Sequence, residues 1–246
     1  GFNYRFSDAF YLGGLVSGAD NELDFDNSAS QYEMESLGFS VLGGFRGDHW
    51  FAEGMFSYAG LDYDKLNRSF NLGPVNRRTE TASTDGDSMG AMVSAGYNVL
   101  DSDSAFRLGP QLGYEYVRVK VDGYREDGSN VTALNVDDQD VSSSVFTLGG
   151  FASLDLGFCD CELYGDALYR KEGSTDAHDP RIGLVSVEGN MATLPGYQIE
   201  NDDSWRWNIG LAANFTPALQ FNISAGGEES DGQSDLWYGA EIAYSF

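Results

Sequence analysis

Leu236-Trp237-Tyr238-Gly239-Ala240-Glu241-Ile242-Ala243-Tyr244-Ser245-Phe246 closes the chain on a strict alternation. Leu236, Tyr238, Ala240, Ile242, Tyr244 and Phe246 fall on one face of an extended strand. Trp237, Gly239, Glu241, Ala243 and Ser245 fall on the other. Successive side chains of a strand point to opposite sides, so a period of two sorts residues by the solvent each side meets. Alternation sustained over about ten residues is what a tilted strand needs to cross a bilayer with one face in hydrocarbon.

The same pattern recurs upstream. Trp205, Trp207, Ile209, Leu211, Ala213 and Phe215 oppose Arg206, Asn208, Gly210, Ala212 and Asn214. Leu219, Phe221, Ile223 and Ala225 oppose Gln220, Asn222 and Ser224. Phe106, Leu108, Leu112, Tyr114 and Tyr116 oppose Arg107, Gln111 and Glu115, and Met89, Ala91, Val93, Ala95 and Tyr97 oppose Gly90, Met92, Ser94 and Gly96. After an opening fragment, ten strands are traced, near residues 9–17, 34–45, 49–64, 87–98, 105–121, 139–156, 161–171, 204–215, 219–228 and 235–246. The connections alternate. Residues 46–48, 99–104, 157–160 and 216–218 are short. Residues 18–33, 65–86, 122–138 and 172–203 are long and polar, and 229–234 is a shorter member of that set. Outer-membrane barrels have short periplasmic turns and longer external loops, so this parity predicts an all-β, antiparallel transmembrane β-barrel in a bacterial outer membrane, with Phe246 on the periplasmic side. Residues 1–246 read as one barrel unit. Aromatics near strand ends on the short-turn side (Trp50, Phe51, Phe106, Phe158, Phe215, Tyr244 and Phe246) match a membrane–water belt.

Composition excludes other classes. A formal charge of -25 over 246 residues repels phosphate backbones, so no nucleic-acid partner is expected. Acidic disordered chains are poor in aromatics, whereas this one carries 16 Phe, 14 Tyr and 4 Trp. Gly1-Phe2-Asn3-Tyr4-Arg5-Phe6 already reads as the end of a strand, so an export signal is expected upstream of it. The cysteines form one Cys159-Asp160-Cys161 motif with neither His close in sequence. That leaves an uninvolved pair or a stapled turn as its reading, with no metal and no cofactor expected.

On the polar faces, Glu53, Arg107, Glu115, Glu162, Asp166, Arg170, Arg206 and Glu241 are expected to line the lumen. Both signs occur, so they can pair along the wall and grip a polar segment inside it. The external connections hold dense carboxylates: Asp20, Glu22, Asp24 and Asp26; Asp137, Asp138 and Asp140; Asp202 and Asp203; Glu228, Glu229 and Asp231. Oxygen-rich loops can bind calcium, but no segment has the EF-hand pattern, so solvated loops are the expectation. No catalytic residue is expected. Gly86-Asp87-Ser88-Met89 lacks the strand–turn–helix context of a nucleophile. Asp85-Gly86-Asp87 with Asp176-Ala177-His178 would suit an omptin-like surface protease, yet the Asp-x-Asp pattern also occurs at Asp24/Asp26, Asp62/Asp64 and Asp101/Asp103.

Two resemblances sharpen this reading. Tyr238, Ala240, Ile242, Tyr244 and Phe246, spaced by two back from a terminal aromatic, resemble the signal by which the barrel assembly machinery recognises its substrates. His49-Trp50-Phe51-Ala52-Glu53-Gly54, then Leu61-Asp62-Tyr63-Asp64-Lys65-Leu66-Asn67-Arg68-Ser69-Phe70-Asn71-Leu72-Gly73, resemble the autotransporter β-domain, most of all the barrel of GDSL-esterase autotransporters. Thr84-Asp85-Gly86-Asp87, Ala95-Gly96-Tyr97-Asn98, Tyr116-Val117-Arg118-Val119-Lys120-Val121-Asp122-Gly123-Tyr124 and Thr132-Ala133-Leu134-Asn135-Val136-Asp137-Asp138-Gln139 continue the likeness. The resemblance implies that these strands form part of a 12-strand barrel with Gly1–Phe6 as the tail of its second strand. It places the first strand, a helix through the lumen and an exported passenger upstream. The implied function is a translocator that anchors and exports its own N-terminal passenger to the cell surface. The implied partners are outer-membrane lipid and lipopolysaccharide, the barrel assembly machinery, and the passenger's helix in the lumen. A porin-like or structural barrel that secretes nothing is the alternative.

Overall fold

The computed structural model describes the chain except for residues 8, 26–29, 74–75, 102, 128–130, 158–159, 178–179, 188, 194–202, 217–218, 231–232 and 245–246. Its strands are β1 (Phe2–Arg5), β2 (Phe10–Phe25), β3 (Ser30–Arg46), β4 (Trp50–Leu72), β5 (Asn76–Tyr97), β6 (Phe106–Val121), β7 (Tyr124–Arg125), β8 (Leu134–Val136), β9 (Gln139–Asp155), β10 (Cys161–Ala177), β11 (Arg181–Leu184), β12 (Met191–Thr193), β13 (Ser204–Thr216), β14 (Leu219–Ser230) and β15 (Gln233–Tyr244). An 11-stranded sheet runs β1-β2-β3-β4-β5-β6-β9-β10-β13-β14-β15, and a 4-stranded sheet runs β12-β11-β8-β7. Every neighbour pair in the large sheet is antiparallel, as short hairpin turns require.

The large sheet is curled, and side-chain contacts identify its inner face. Phe51 of β4 meets Phe151 of β9 edge-on at 5.0 Å between ring centroids. Tyr164 of β10 donates its hydroxyl proton to Asn222 Oδ1 of β14 at 2.9 Å. Arg170 of β10 reaches Glu115 of β6 at 3.0 Å and also bonds Glu228 of β14. These strands are not neighbours in the sheet, and all of these residues lie on one face by register. Contacts between non-adjacent strands form on a concave side, so this face is the inside of the curl.

The outer face is apolar and uncovered. Val16, Leu37, Leu112, Leu148 and Ile209 are exposed, and Tyr238 is 91% exposed. The buried apolar residues among those described are Leu61, Ala82, Ala133, Val136, Cys161 and Ala213, too few and too small to make a core for a chain so rich in aromatics. An apolar surface on this scale, wrapped round a polar interior, fits hydrocarbon as its solvent.

Two expectations need correction. Residues 18–33 and 65–86 were expected to be long loops. Instead β2 and β3 continue to Phe25 and from Ser30, while β4 and β5 extend to Leu72 and from Asn76. The reason is physical. Beyond the hydrocarbon neither face meets lipid, so a strand no longer has to alternate in polarity, although its backbone ladder still pairs, as in Arg68↔Glu80 and Asp24↔Gln31. Likewise β7, β8, β11 and β12 occupy parts of the expected loops 122–138 and 172–203.

The turn before β10 has Gly157 at φ 68 and Asp160 at φ 46, left-handed values that Gly adopts freely and Asp tolerates. Cys161 at its end is buried and disulfide-bonded, while Cys159 lies outside the described residues.

An arginine at Leu112, near the middle of the outer face, should cost about 2–4 kcal/mol of stability, as cations do at the bilayer midplane. The adjacent inward substitution Gln111→Arg should cost far less. Urea unfolding in lipid vesicles, followed by tryptophan fluorescence, measures both, and equal costs would refute the assignment of faces.

Candidate functional site

Because the ladders fix which residues face inward, the inner wall can be built residue by residue. Glu53 pairs across to Ser94, Ser94 to Gly113, Gly113 to Thr147, and Thr147 to Arg170. Arg170 pairs in turn with Ser204. These residues therefore form one row round the inside. Alternate residues above and below the row share its face, including Arg107, Glu115, Glu162, Asp166, Arg206 and Glu241.

Four of the eight residues expected in the lumen, Glu53, Arg107, Glu162 and Asp166, border a single cavity of about 560 Å³ at the short-turn end. Arg46, Asp48, His49, Gln111, Tyr164 and Asn222 complete its polar lining, with Phe51 and Phe151 as the apolar part. His49 Nδ1 lies 3.1 Å from the Asn98 carbonyl oxygen and its ring stacks near Tyr97. Phe51 lies flat on the wall because its cross-strand partner is glycine. A Cβ on Gly96 would stand 2.2 Å from the Phe51 ring. Tyr164 lies over Gly210 in the same way, at 2.4 Å.

Higher on the wall, Arg170 is the hub. Its guanidinium bonds Glu115 on one side and Glu228 on the other. Ser204 donates its hydroxyl to Glu228 at 2.6 Å. One planar cation with several donors thus ties β6, β10 and β14 together, a task to which a lysine's single ammonium is poorly suited. Arg206 instead stands 5.2 Å from the centre of the Trp237 ring, a cation–π contact. Glu241 pairs across to Asn222.

The reading by charge alone missed Tyr164, Asn222, Phe51, Phe151 and Trp237. All are on the inward parity that placed Glu162 and Asp166, so the same alternation would have found them. Glu228 was read as an external carboxylate and is instead part of the wall.

Of the residues expected as an assembly signal, Tyr238, Ala240, Ile242 and Tyr244 alternate along β15, opposite Ala225, Ile223, Phe221 and Leu219. Phe246 lies outside the described residues. Several of the carboxylates weighed as cation ligands have partners within the chain. Asp140 binds Arg118, Asp138 accepts from the Gly123 amide at 2.8 Å, and Glu22 accepts from Gln31. Asp26, Asp202 and Asp231 are outside the described residues, as is His178 of the protease-like pair. Asp85 and Asp87 sit within β5 on the outward parity, Asp87 opposite Lys120.

A curled antiparallel sheet, greasy outside and hydrophilic inside, with short turns at one end and long hairpins at the other, is a transmembrane β-barrel. The sequence model of the autotransporter beta-domain matches residues 1–226, and the chain belongs to that family. It is 30% identical to Esterase EstA of Pseudomonas aeruginosa over 246 residues, which is 100% of this chain and 37% of that protein. With Lipase 1 of Photorhabdus luminescens it shares 29% identity over 219 residues, 88% of this chain and 33% of the relative. The chain thus spans little more than a third of the curated relatives it matches.

Among solved structures, the translocator domain of the autotransporter NalP from Neisseria meningitidis superposes with a TM-score of 0.71 at 15% identity, covering 99% of this chain and 77% of that one. The beta domain of the Bordetella autotransporter Brka gives 0.61 at 14%, covering 99% and 86%. At these identities the likeness concerns the fold. The chain is accordingly an outer-membrane-type translocator barrel for a passenger domain.

Truncating the hub should expose its importance. Arg170→Met leaves Glu115 and Glu228 without their cation. Since the group is only partly screened from water, the loss should be about 1–3 kcal/mol, below the cost of breaking a fully buried pair. Adding Glu115→Gln and Glu228→Gln should restore part of it. Denaturant midpoints of the three variants test this; a single variant as stable as the parent would remove Arg170 from its role.

Proposed function

We propose that this barrel resides in the bacterial outer membrane and carries its own upstream passenger to the cell surface. The observation that supports this most directly is the inner wall. It carries charges of both signs, amides and hydroxyls, with rings laid flat against glycines, so a polypeptide can be wetted and contacted inside without a protruding obstruction. A helix from the passenger side would find Arg107, Glu162, Asp166 and Arg206 available as partners for its polar face. The outer wall would meet lipid over Leu112, Leu148 and Ile209, and lipopolysaccharide above. The β15 edge, with Tyr238, Ala240, Ile242 and Tyr244, is where the barrel assembly machinery would capture the chain by strand addition.

The relatives named as an esterase and a lipase support an ester-hydrolysing passenger for the full-length protein. The hydrolytic residues would then lie in the passenger.

Intact cells producing the full-length protein should hydrolyse a short-chain chromogenic ester and should lose that activity when a protease shaves the surface. Removing residues 219–246 should abolish surface activity and leave the passenger trapped behind the membrane. A passenger that reaches the surface equally well without this segment would overturn the translocator reading. Surface display without ester hydrolysis would overturn only the assignment of the passenger.

A further inference from the structure

The long hairpin of β4 and β5 rises beyond the membrane, and its inward face can be followed without a break. On β5 that face runs Gly96, Ser94, Met92, Gly90, Ser88, Gly86, Thr84, Ala82, Glu80 and Arg78. The irregularity in this ladder, between Tyr63 and Leu66, puts its extra residue on β4, so β5 keeps its parity. Burial follows the parity outside the membrane. Glu80 is 1% exposed and Ala82 is 5% exposed, whereas Thr79, Thr81, Ser83 and Asp85 face solvent. Something therefore covers the side of the hairpin that faces the barrel axis.

The covering element is the 4-stranded sheet with the residues that flank it at Glu126, Asp127 and Thr132. Arg68 donates from Nε to Glu126 Oε1 at 2.7 Å and from Nη2 to Glu126 Oε2 at 2.6 Å. The same Nη2 reaches the Thr132 carbonyl oxygen at 2.8 Å. Thr132 donates its hydroxyl to Glu80 at 2.6 Å, and the Leu134 amide donates to Glu126 at 2.7 Å. The backbone is tied as well, through the Asp127 amide and the Thr81 carbonyl oxygen at 2.7 Å. Glu126 is 4% exposed and Ala133 is 0% exposed. Hydrogen bonding to Glu126 holds the Arg68 guanidinium above its usual pKa, and burial pushes the Tyr124 phenol up. Buried carboxylates of this kind hold position only while each keeps its partners.

We propose that the sheet of β7, β8, β11 and β12 is a lid over the external mouth of the barrel, clamped to the inward face of the β4–β5 hairpin by the bidentate Arg68–Glu126 pair. An element packed on the outward face would stand beside the barrel; one packed on the inward face overhangs the opening. The lid restricts the exit while the clamp is made, and an emerging segment must pass beside the sheet or lift it. The inference rests on the reading of the concave face as the conduit.

The test uses the full-length protein on intact cells, with Ser88→Cys on the inward face beneath the lid and Ser83→Cys on the outward face as the reference. A bulky, membrane-impermeant maleimide is the probe, and Cys161, being disulfide-bonded and buried, does not compete. Ser88→Cys should label at least about tenfold more slowly than Ser83→Cys. Adding Arg68→Met or Glu126→Gln should raise the Ser88→Cys rate about tenfold while leaving Ser83→Cys unchanged, as expected when a closed population is released. Unheated electrophoretic mobility reports whether each barrel has folded. Should Arg68→Met fail to fold, the near-isosteric Glu126→Gln decides. Equal rates at both positions in the otherwise unaltered protein would overturn the lid; a slow Ser88→Cys rate that neither clamp variant changes would overturn the clamp. Labelling at Ser83→Cys needs only a barrel at the surface, so failed passenger export with the expected labelling pattern would count against the translocator reading alone.

Discussion

Hydrocarbon offers a peptide group no hydrogen-bond partner, so within a bilayer every N–H and C=O must be satisfied by the protein itself. The long uninterrupted registers of the large sheet meet that demand. From Phe106↔Leu154 to Val121↔Gln139, β6 and β9 pair without a slip. The exception tests the rule. Pro110 sits inside β6, where it has no N–H to give, but the β5–β6 ladder ends at Gly96↔Gln111, so it lies just past the last pair on that side. Irregularities elsewhere cluster away from the middle of the wall, at Glu33/Glu35, Tyr63/Leu66 and Glu172/Ser174 on the long-hairpin side and Asn214/Thr216 on the short-turn side. Nearer water, a bulge costs less.

Once the backbone is paired strand to strand, the side chains have two destinations, and this is why so much of the fold was legible in the residues. The alternation of Tyr238, Ala240, Ile242 and Tyr244 against Trp237, Gly239 and Glu241 exists because lipid lies on one side and water on the other. Where that contrast stops, the signal stops. Asp20, Asn21 and Glu22 belong to β2, and Arg77 through Thr84 belong to β5, yet neither run shows a polarity pattern, since neither meets lipid and the covered face of the second is packed by polar partners such as Thr132. Strand existence was therefore readable inside the membrane, whereas strand length above it was not.

The inner wall was legible to a similar depth. Parity placed Arg170 and Glu115 on one face. It did not reveal that Arg170 also reaches Glu228, because residues 229–234 looked like a loop and the preceding carboxylates were grouped with it. Parity alone is blind to distance round the curl. Nor does it say which ring lies flat; that depends on a glycine in the neighbouring strand, as with Phe51 over Gly96, a relation visible only once the register is known. Phe51 also illustrates how proximity to a turn misleads. Trp50 and Phe51 are adjacent, but one faces lipid and the other the lumen, so only the first can serve in an interfacial belt.

A conduit faces conflicting needs: its wall must keep its curvature, and its centre must stay passable. Interactions that crossed the lumen would serve the first need and defeat the second. Here the polar contacts run along the wall. Arg170 links strands to either side of its own, Tyr164 reaches Asn222 on β14, and the Phe51–Phe151 pair lies against glycines instead of pointing inward. Each contact spans non-adjacent strands, which fixes the angle between them, and each spends its side chain's length circumferentially. Glycine on the wall is what permits this, since any Cβ at Gly96 or Gly210 would lift the ring toward the axis. The density of glycine on the inward parity, at Gly86, Gly90, Gly96, Gly109 and Gly113, then follows from the requirement for a smooth bore. It is not a mark of flexibility, because backbone ladders hold these residues in extended strands.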